Sequence, residues 1–269
     1  MSQSILVAML TVAIISLSGG QGKTTAALFL SRLLAEREYP TLVVDADPQH
    51  NLTTYLGLEL KPNQPTLLEV LKKYVPAEDG IYPISDSKHL FLLPADDGLD
   101  AVSDYLSSSG VGATLLLRRL EPLAEVFKVC IIDAPPQRSQ ICLTAIGAAD
   151  VLIIPAEATV KGYGSLARTL DLLNSMREVK ATNAEVLGIL PFRDRWIGLT
   201  QTVESRMAVE GMAEEVGKVL ILPSIKESEQ YKKAINQGKT LSQLGHPDLE
   251  YPFEALLTLI KQRLGEVIS

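Results

Sequence analysis

SGGQGKTT, Ser18 to Thr25, sits between two apolar runs of different character. Ahead of it LTVAIISL (Leu10–Leu17) is rich in β-branched residues, the composition of a strand buried on both faces. Behind it AALFLSRLLAERE (Ala26–Glu38) places Ala27, Leu30, Leu33 and Leu34 at helical spacing. Strand, glycine-rich turn and helix follow in the order a phosphate cradle needs. Gly19, Gly20 and Gly22 let the backbone curl and aim successive N–H groups, with that of Gln21, at one anion. The helix N-terminus adds partial positive charge. Lys23 supplies a mobile cation for β- and γ-phosphates, the Thr24 hydroxyl a ligand for Mg²⁺, and Thr25 completes the helix start. The reading is a nucleotide-binding loop with a place for Mg²⁺. The loop is irregular, because the glycine expected five residues before Gly22 is Leu17.

Further along, TLVVDADPQHNLT (Thr41–Thr53) is a second buried strand running into acidic residues and a turn. In an open parallel sheet the C-terminal strand ends converge on the ligand crevice, so Asp45 and Asp47 point towards the phosphate loop. KVCIIDAPP (Lys128–Pro136) runs four apolar residues into Asp133, the arrangement in which a carboxylate holds Mg²⁺ through water. One strand, HLFLLPA (His89–Ala95), interrupts helices between 67 and 125; Arg118 and Arg119 fall on one of them, with a solvated face as the default. VLIIPAEATVKGYGS (Val151–Ser165) is a strand entering a helix, and Glu185–Arg195 and Val219–Glu229 are the last two strands. Tyr251–Ile268 is an amphipathic helix with Phe253, Leu256, Leu257, Ile260 and Leu264 on one face.

The 269 residues suffice for one large α/β domain, and no linker-like run argues for two. Residues 1–9 read as an extension outside the fold and 10–269 as the domain. The formal charge of −7 is uneven: residues 191–240 carry 8 basic and 7 acidic side chains, while residues 1–190 carry 15 and 21. Cys130 and Cys142 lie in apolar surroundings, as buried thiols of a reducing compartment do, and three histidines are too scattered for zinc. Ile5–Leu17 has the length of a signal-peptide core, but no Lys or Arg precedes it and cleavage there would destroy the loop. No run is long and apolar enough for a membrane span, and a cytoplasmic protein is expected.

Four motifs in order, SGGQGKTT, DADPQHNLT, IIDAPP and LPSIKESE, resemble the ParA/MinD family of deviant Walker A ATPases across most of the chain. The resemblance implies a single-domain P-loop NTPase fold, a mostly parallel twisted sheet with helices on both faces. It implies that Asp47 orients the attacking water, that Asp45 supports Mg²⁺, and that Pro135–Pro136 begin a switch loop. It places Pro191, Phe192 and Pro223 at the adenine, though ordinary loop packing accounts for them nearly as well. The family usually has a lysine before its first glycine that reaches the partner's nucleotide across a dimer; here that position is Ser18. Facing triphosphates repel without compensating cations. Lys161 is either a solvated lysine at a helix start or the cation that supplies this charge to the partner.

Within the family, a nitrogenase-iron-protein relative would need a cluster-binding cysteine pair, and Cys130 sits inside a strand. A MinD-like membrane anchor would be basic, whereas the last helix has Lys261 and Arg263 against Glu250, Glu254 and Glu266. The loop with Ser18 is similar to the ParA-like branch that positions carboxysomes; partition ATPases and, in another class, ligases resembling dethiobiotin synthetase are the rivals. The implied partners are a second copy in an ATP-dependent homodimer, nonspecific nucleoid DNA and a cargo-bound adaptor that stimulates hydrolysis, with no membrane. Candidate phosphate-contacting residues for DNA are Arg193, Arg195, Arg206, Lys218, Lys226, Lys232 and Lys233.

Overall fold

The computed structural model describes residues 9–266. Its elements run β1 (Leu10–Ile14), α1 (Lys23–Glu36), β2 (Thr41–Asp45), α2 (Asn51–Tyr55), α3 (Leu67–Leu71), β3 (Tyr82–Pro83), β4 (Leu90–Leu93), α4 (Val102–Ser108) and α5 (Leu115–Leu120). There follow β5 (Val129–Asp133), α6 (Gln140–Ala148), β6 (Val151–Glu157), α7 (Val160–Glu178), β7 (Glu185–Asp194), β8 (Trp196–Ile197), β9 (Thr200–Gln201), α8 (Val203–Val216), β10 (Ile225–Lys226), α9 (Glu229–Gln237) and α10 (Tyr251–Arg263).

Eight strands form one sheet in the order β10-β7-β6-β1-β5-β2-β4-β3, every neighbouring pair parallel except β3 with β4. Because strand side chains alternate, β1 sends Val12 and Ile14 to one face and Ala13 to the other. The first face packs on α1, α9 and α10, the second on the helices from α3 to α8. β1 is thus covered on both sides, and its neighbours β5 and β6 lead off in opposite directions along the sheet. That reversal opens the crevice where open α/β sheets bind ligands.

The last helix seals the first face. Phe253, Leu256 and Ile260 are fully buried there, and the Phe253 ring stacks on Phe29 of α1 with centroids 5.4 Å apart. Of the expected N-terminal extension only Met9 lies among the described residues, where it is buried against the core; residues 1–8 lie outside them. The end of the expected Tyr251–Ile268 helix also differs, with α10 closing at Arg263 and residues 267–269 outside the description.

Three further expectations change. The strand from Val219 to Glu229 reduces to Ile225–Lys226 plus an isolated bridge from Ile221 to Ile189, because Pro223 cannot donate to the ladder and interrupts it. A short antiparallel β3 edges β4, and β8 and β9 form a separate hairpin. Arg119 is not merely solvated. Its Nε and Nη2 donate to the carbonyls of Val70 and Leu71 at 3.0 and 3.1 Å, satisfying the C-terminal end of α3.

Candidate nucleotide site

After Ile15, whose N still donates to Ile153 O at 3.1 Å, the chain leaves the sheet and exchanges ladder bonds for side chains of α7. Ser16 Oγ meets Ser165 Oγ at 3.0 Å, Leu17 N donates to Thr169 Oγ1 at 3.1 Å, and Arg168 Nη2 donates to Ser18 Oγ at 3.1 Å. Three successive residues are therefore fastened to one helix before the glycines begin. Gly20 and Gly22 then take φ values of +78° and +92°, and at Gly22 a Cβ would stand 2.5 Å from Phe192 Cδ2. No side chain caps α1 at Gly22, so its first N–H groups keep their capacity for an anion.

Gln21 is fully buried: its Oε1 accepts from Glu157 N at 2.8 Å, and its Nε2 has no partner. Lys23 Nζ rests on the Ser18 carbonyl at 3.2 Å. Burial pulls the Lys23 ammonium below its ordinary pKa, while Asp133 and Asp47 pull it back up.

Asp133 ends β5 as expected, is 1% exposed, and among the described residues neither of its oxygens has a hydrogen-bond partner. Burial and the Asp45 charge push its carboxyl well above the usual range, against the Thr24 hydroxyl and Lys23. A buried carboxylate left bare costs stability, and a divalent cation is the partner that would repair it. Thr24 and Asp133 therefore fit Mg²⁺, which would neutralise charge developing on a transferring phosphoryl group.

Asp45 differs from Asp133 in its hydrogen bonding. It lies beside Asp133 in the sheet, but its Oδ1 accepts from Asp47 N at 3.2 Å and its Oδ2 accepts from both Thr53 N and Thr53 Oγ1 at 2.8 Å. With these donors engaged, Asp45 braces the DADPQ turn against α2. Burial still raises its pKa to about 6. The brace holds Asp47 at the mouth, where its Oδ1 accepts from Gln49 N at 3.0 Å.

A cleft of about 280 Å³ joins these parts, lined by Gly19 through Thr25, Asp47, Gln49, Asn51, Tyr55, Pro136, Phe192 and Arg193. Gln49, Asn51 and Tyr55 went unnoticed in sequence because polar residues after a DPQ turn carry no distinguishing pattern. Phe192 reaches the cleft, whereas Pro191 is buried in β7 opposite Ala156 and Pro223 does not line it. Arg193 belongs to this cleft too, paired with Glu157 at 3.5 Å and lying 5.4 Å from the Phe192 ring centroid. A larger hollow of about 600 Å³ between α7 and α8 has Glu204, Glu214 and Glu215 on its rim and no Lys or Arg in its lining, so it cannot seat a triphosphate.

The other basic candidates are dispersed over exposed positions. Arg195 pairs with Glu227 at 2.7 Å, Lys232 with Glu229 at 3.0 Å, and Lys226 lies 4.9 Å from the Trp196 ring centroid. Arg206, Lys218 and Lys233 are exposed and, among the described residues, have no carboxylate partner. Lys161 is exposed on the first turn of α7 and does not line the cleft. Cys130 and Cys142 are free and buried. No helix among the described residues is long and apolar enough to cross a membrane.

Comparison with known proteins agrees with this geometry. The AAA domain family matches residues 9–187. The maintenance of carboxysome distribution protein A of Synechococcus elongatus is 58% identical over 93% of this chain and 98% of its own length. The protein of the same name from Gloeothece citriformis is 51% identical over 96% and 97%. A solved complex of a substituted Cyanothece McdA with ATP superposes with a TM-score of 0.92 at 50% identity, covering 97% of this chain and 98% of that one. With its phosphate loop, buried Asp133 and sheet order in place, the chain is an ATPase, and it belongs to the ParA/MinD family and, within it, to the family of the maintenance of carboxysome distribution protein A.

Proposed function

We propose that this ATPase is a positioning switch that distributes carboxysomes inside the cell. The observation that supports it most directly is the near full-length identity to proteins named for carboxysome distribution, joined to an intact phosphate loop. In this reading ATP brings two copies face to face, and the dimer holds nonspecific DNA through Lys and Arg contacts to phosphates. A cargo-bound, McdB-like adaptor then stimulates hydrolysis and releases the protein locally, in the cytoplasm and at the nucleoid.

Within the site, Lys23 and the loop N–H groups orient the phosphates, Thr24 and Asp133 hold the metal ion, and Asp47 positions the attacking water. Catalysis is positioning and charge stabilisation. Lys161, exposed at the start of α7, is the cation that crosses to the partner's nucleotide. The DNA candidates are Arg193, Arg195, Arg206, Lys218, Lys226, Lys232 and Lys233.

ATP turnover measured with and without nonspecific duplex DNA, with no metabolite present, tests the switch. Turnover that responds to DNA, together with DNA retention that needs ATP and weakens steeply with salt, is the expected result. Turnover that stays silent until a carboxylate or amine substrate is added would instead identify a ligase. Charge reversal at Arg195, Lys226 and Lys233 together should abolish retention on DNA; unchanged retention would discard that patch.

A further inference from the structure

Ser18 receives two cations. Lys23 Nζ donates to its carbonyl at 3.2 Å and Arg168 Nη2 to its hydroxyl at 3.1 Å, so the two positive groups are separated by the width of one serine. Lys23 has Asp133 and Asp47 as neighbouring charges. Arg168 is exposed and, among the described residues, forms no ion pair with any carboxylate. Like charges gathered at a glycine-rich turn repel until an anion arrives, which is the electrostatic signature of a site built for phosphate.

The helix explains how Arg168 gets there. Lys161 and Arg168 are seven residues apart, so they fall on one face of α7, about 10 Å apart along its axis. Ser165, which meets Ser16, lies between them on the same side. Thr169, one residue beyond Arg168, accepts from Leu17 N and donates to the Ser165 carbonyl, so this turn of α7 is held against the loop. The helix backbone therefore fixes where the Arg168 side chain starts, and its guanidinium reaches Ser18 from there.

We propose that Arg168 is a positioning residue for the triphosphate in its own subunit, docking on Ser18 and laying a fixed positive charge beside the loop when Lys23 turns from the Ser18 carbonyl to the phosphates. This rests on the nucleotide reading of the cleft and deepens it. The charge that Ser18 lacks at this position is supplied by α7. The ligand it discriminates is a nucleoside triphosphate over the diphosphate, because only the former brings the additional γ-phosphate charge.

Equilibrium titration of fluorescent ATP and ADP analogues with Mg²⁺ tests this on the full chain, using wild type, Arg168→Ala, Arg168→Lys and Ser18→Ala. Arg168→Ala should weaken ATP about tenfold and ADP less than threefold at low ionic strength, with the difference shrinking in 1 M salt, where the Debye length is about 3 Å. Arg168→Lys should recover the ATP preference to within about threefold, since charge is kept, and Ser18→Ala should lose part of it, since the dock is gone. Equal losses for ATP and ADP, or a loss indifferent to salt, would mean that Arg168 only props the loop, and the proposal falls. Unchanged affinities in Arg168→Ala overturn it as well. Wild type that binds neither nucleotide would sink the underlying reading of the cleft, and this proposal with it.

Discussion

Asp45 and Asp133 are direct cross-strand neighbours at the C-terminal ends of β2 and β5, both buried, yet one accepts three hydrogen bonds and the other none. The contrast assigns their roles. Asp45 is finished as a structural brace, and Asp133 is left incomplete until a cation completes it.

Asp133→Asn should therefore act in opposite directions on stability and on binding. Replacing a buried carboxylate that has no hydrogen-bond partner among the described residues by a neutral amide should raise the melting temperature of the nucleotide-free protein. The additional rise produced by Mg²⁺ with ATP in wild type should be lost. Thermal melts with ATP, with and without EDTA, check both halves. A variant destabilised without ligand would contradict the assignment.

Stability should also depend on pH through Asp45. Its folded pKa of about 6 lies above the usual 3.8, so between these values the folded chain holds a proton that the unfolded chain has released. The contribution of this group is greatest below the unfolded value and declines as pH rises through about 6. Thr53→Val removes the Oγ1 donor to ionised Asp45 and should cost about 1.5–3 kcal/mol at pH 8, where a charged acceptor is left short. At pH 4.5 the cost should be smaller, and Thr53→Ser should restore the wild-type profile. Urea unfolding at the two pH values decides it; equal costs would detach Asp45 from the trend.

Gly22 and Phe192 should show strong energetic coupling. A Cβ at Gly22 would overlap the Phe192 ring and would sit at φ +92°. Gly22→Ala should lower stability by about 1–3 kcal/mol from strained backbone alone, with the ring overlap in addition. In a Phe192→Leu background the added cost should shrink, because the overlapping atoms are gone while the backbone strain stays. A double-mutant cycle on chemical denaturation reads the difference, and additive costs would show that the ring is not the obstacle.

Lys161→Ala should abolish ATP-dependent dimerisation while leaving ATP binding by the single subunit within about threefold, because Lys161 neither lines the subunit's own cleft nor, as Arg168 does, bonds to Ser18. Analytical ultracentrifugation with ATP and without it provides the measurement. Dimers at wild-type levels would remove Lys161 from the dimer contact.

Much of the site was legible in sequence because its parts are local. The Ser18–Thr25 loop, Asp47 and Asp133 each follow an apolar strand, and the strand end alone aims them at a common crevice. What stayed hidden depends on long-range pairing. Nothing near Arg168 in the chain announces Ser18, and nothing near Arg119 announces the end of α3. Arg193 looked like one more surface charge until β7 carried it to Phe192 and the cleft. The strands β3, β8, β9 and β10 are two residues each, too short to impose a hydrophobic period. The bracing contacts of Asp45 were also hidden, because its type and position suit a ligand and only the fold brings Thr53 to its side chain.

The three rungs from Ser16, Leu17 and Ser18 to α7 make helix and loop a single lever. A push on the outward side of that helix travels to the catalytic hinge without any intervening flexible joint. The surface of α7 is in this sense a handle on the loop: a change that shifts the helix shifts Ser16, Leu17 and Ser18 with it.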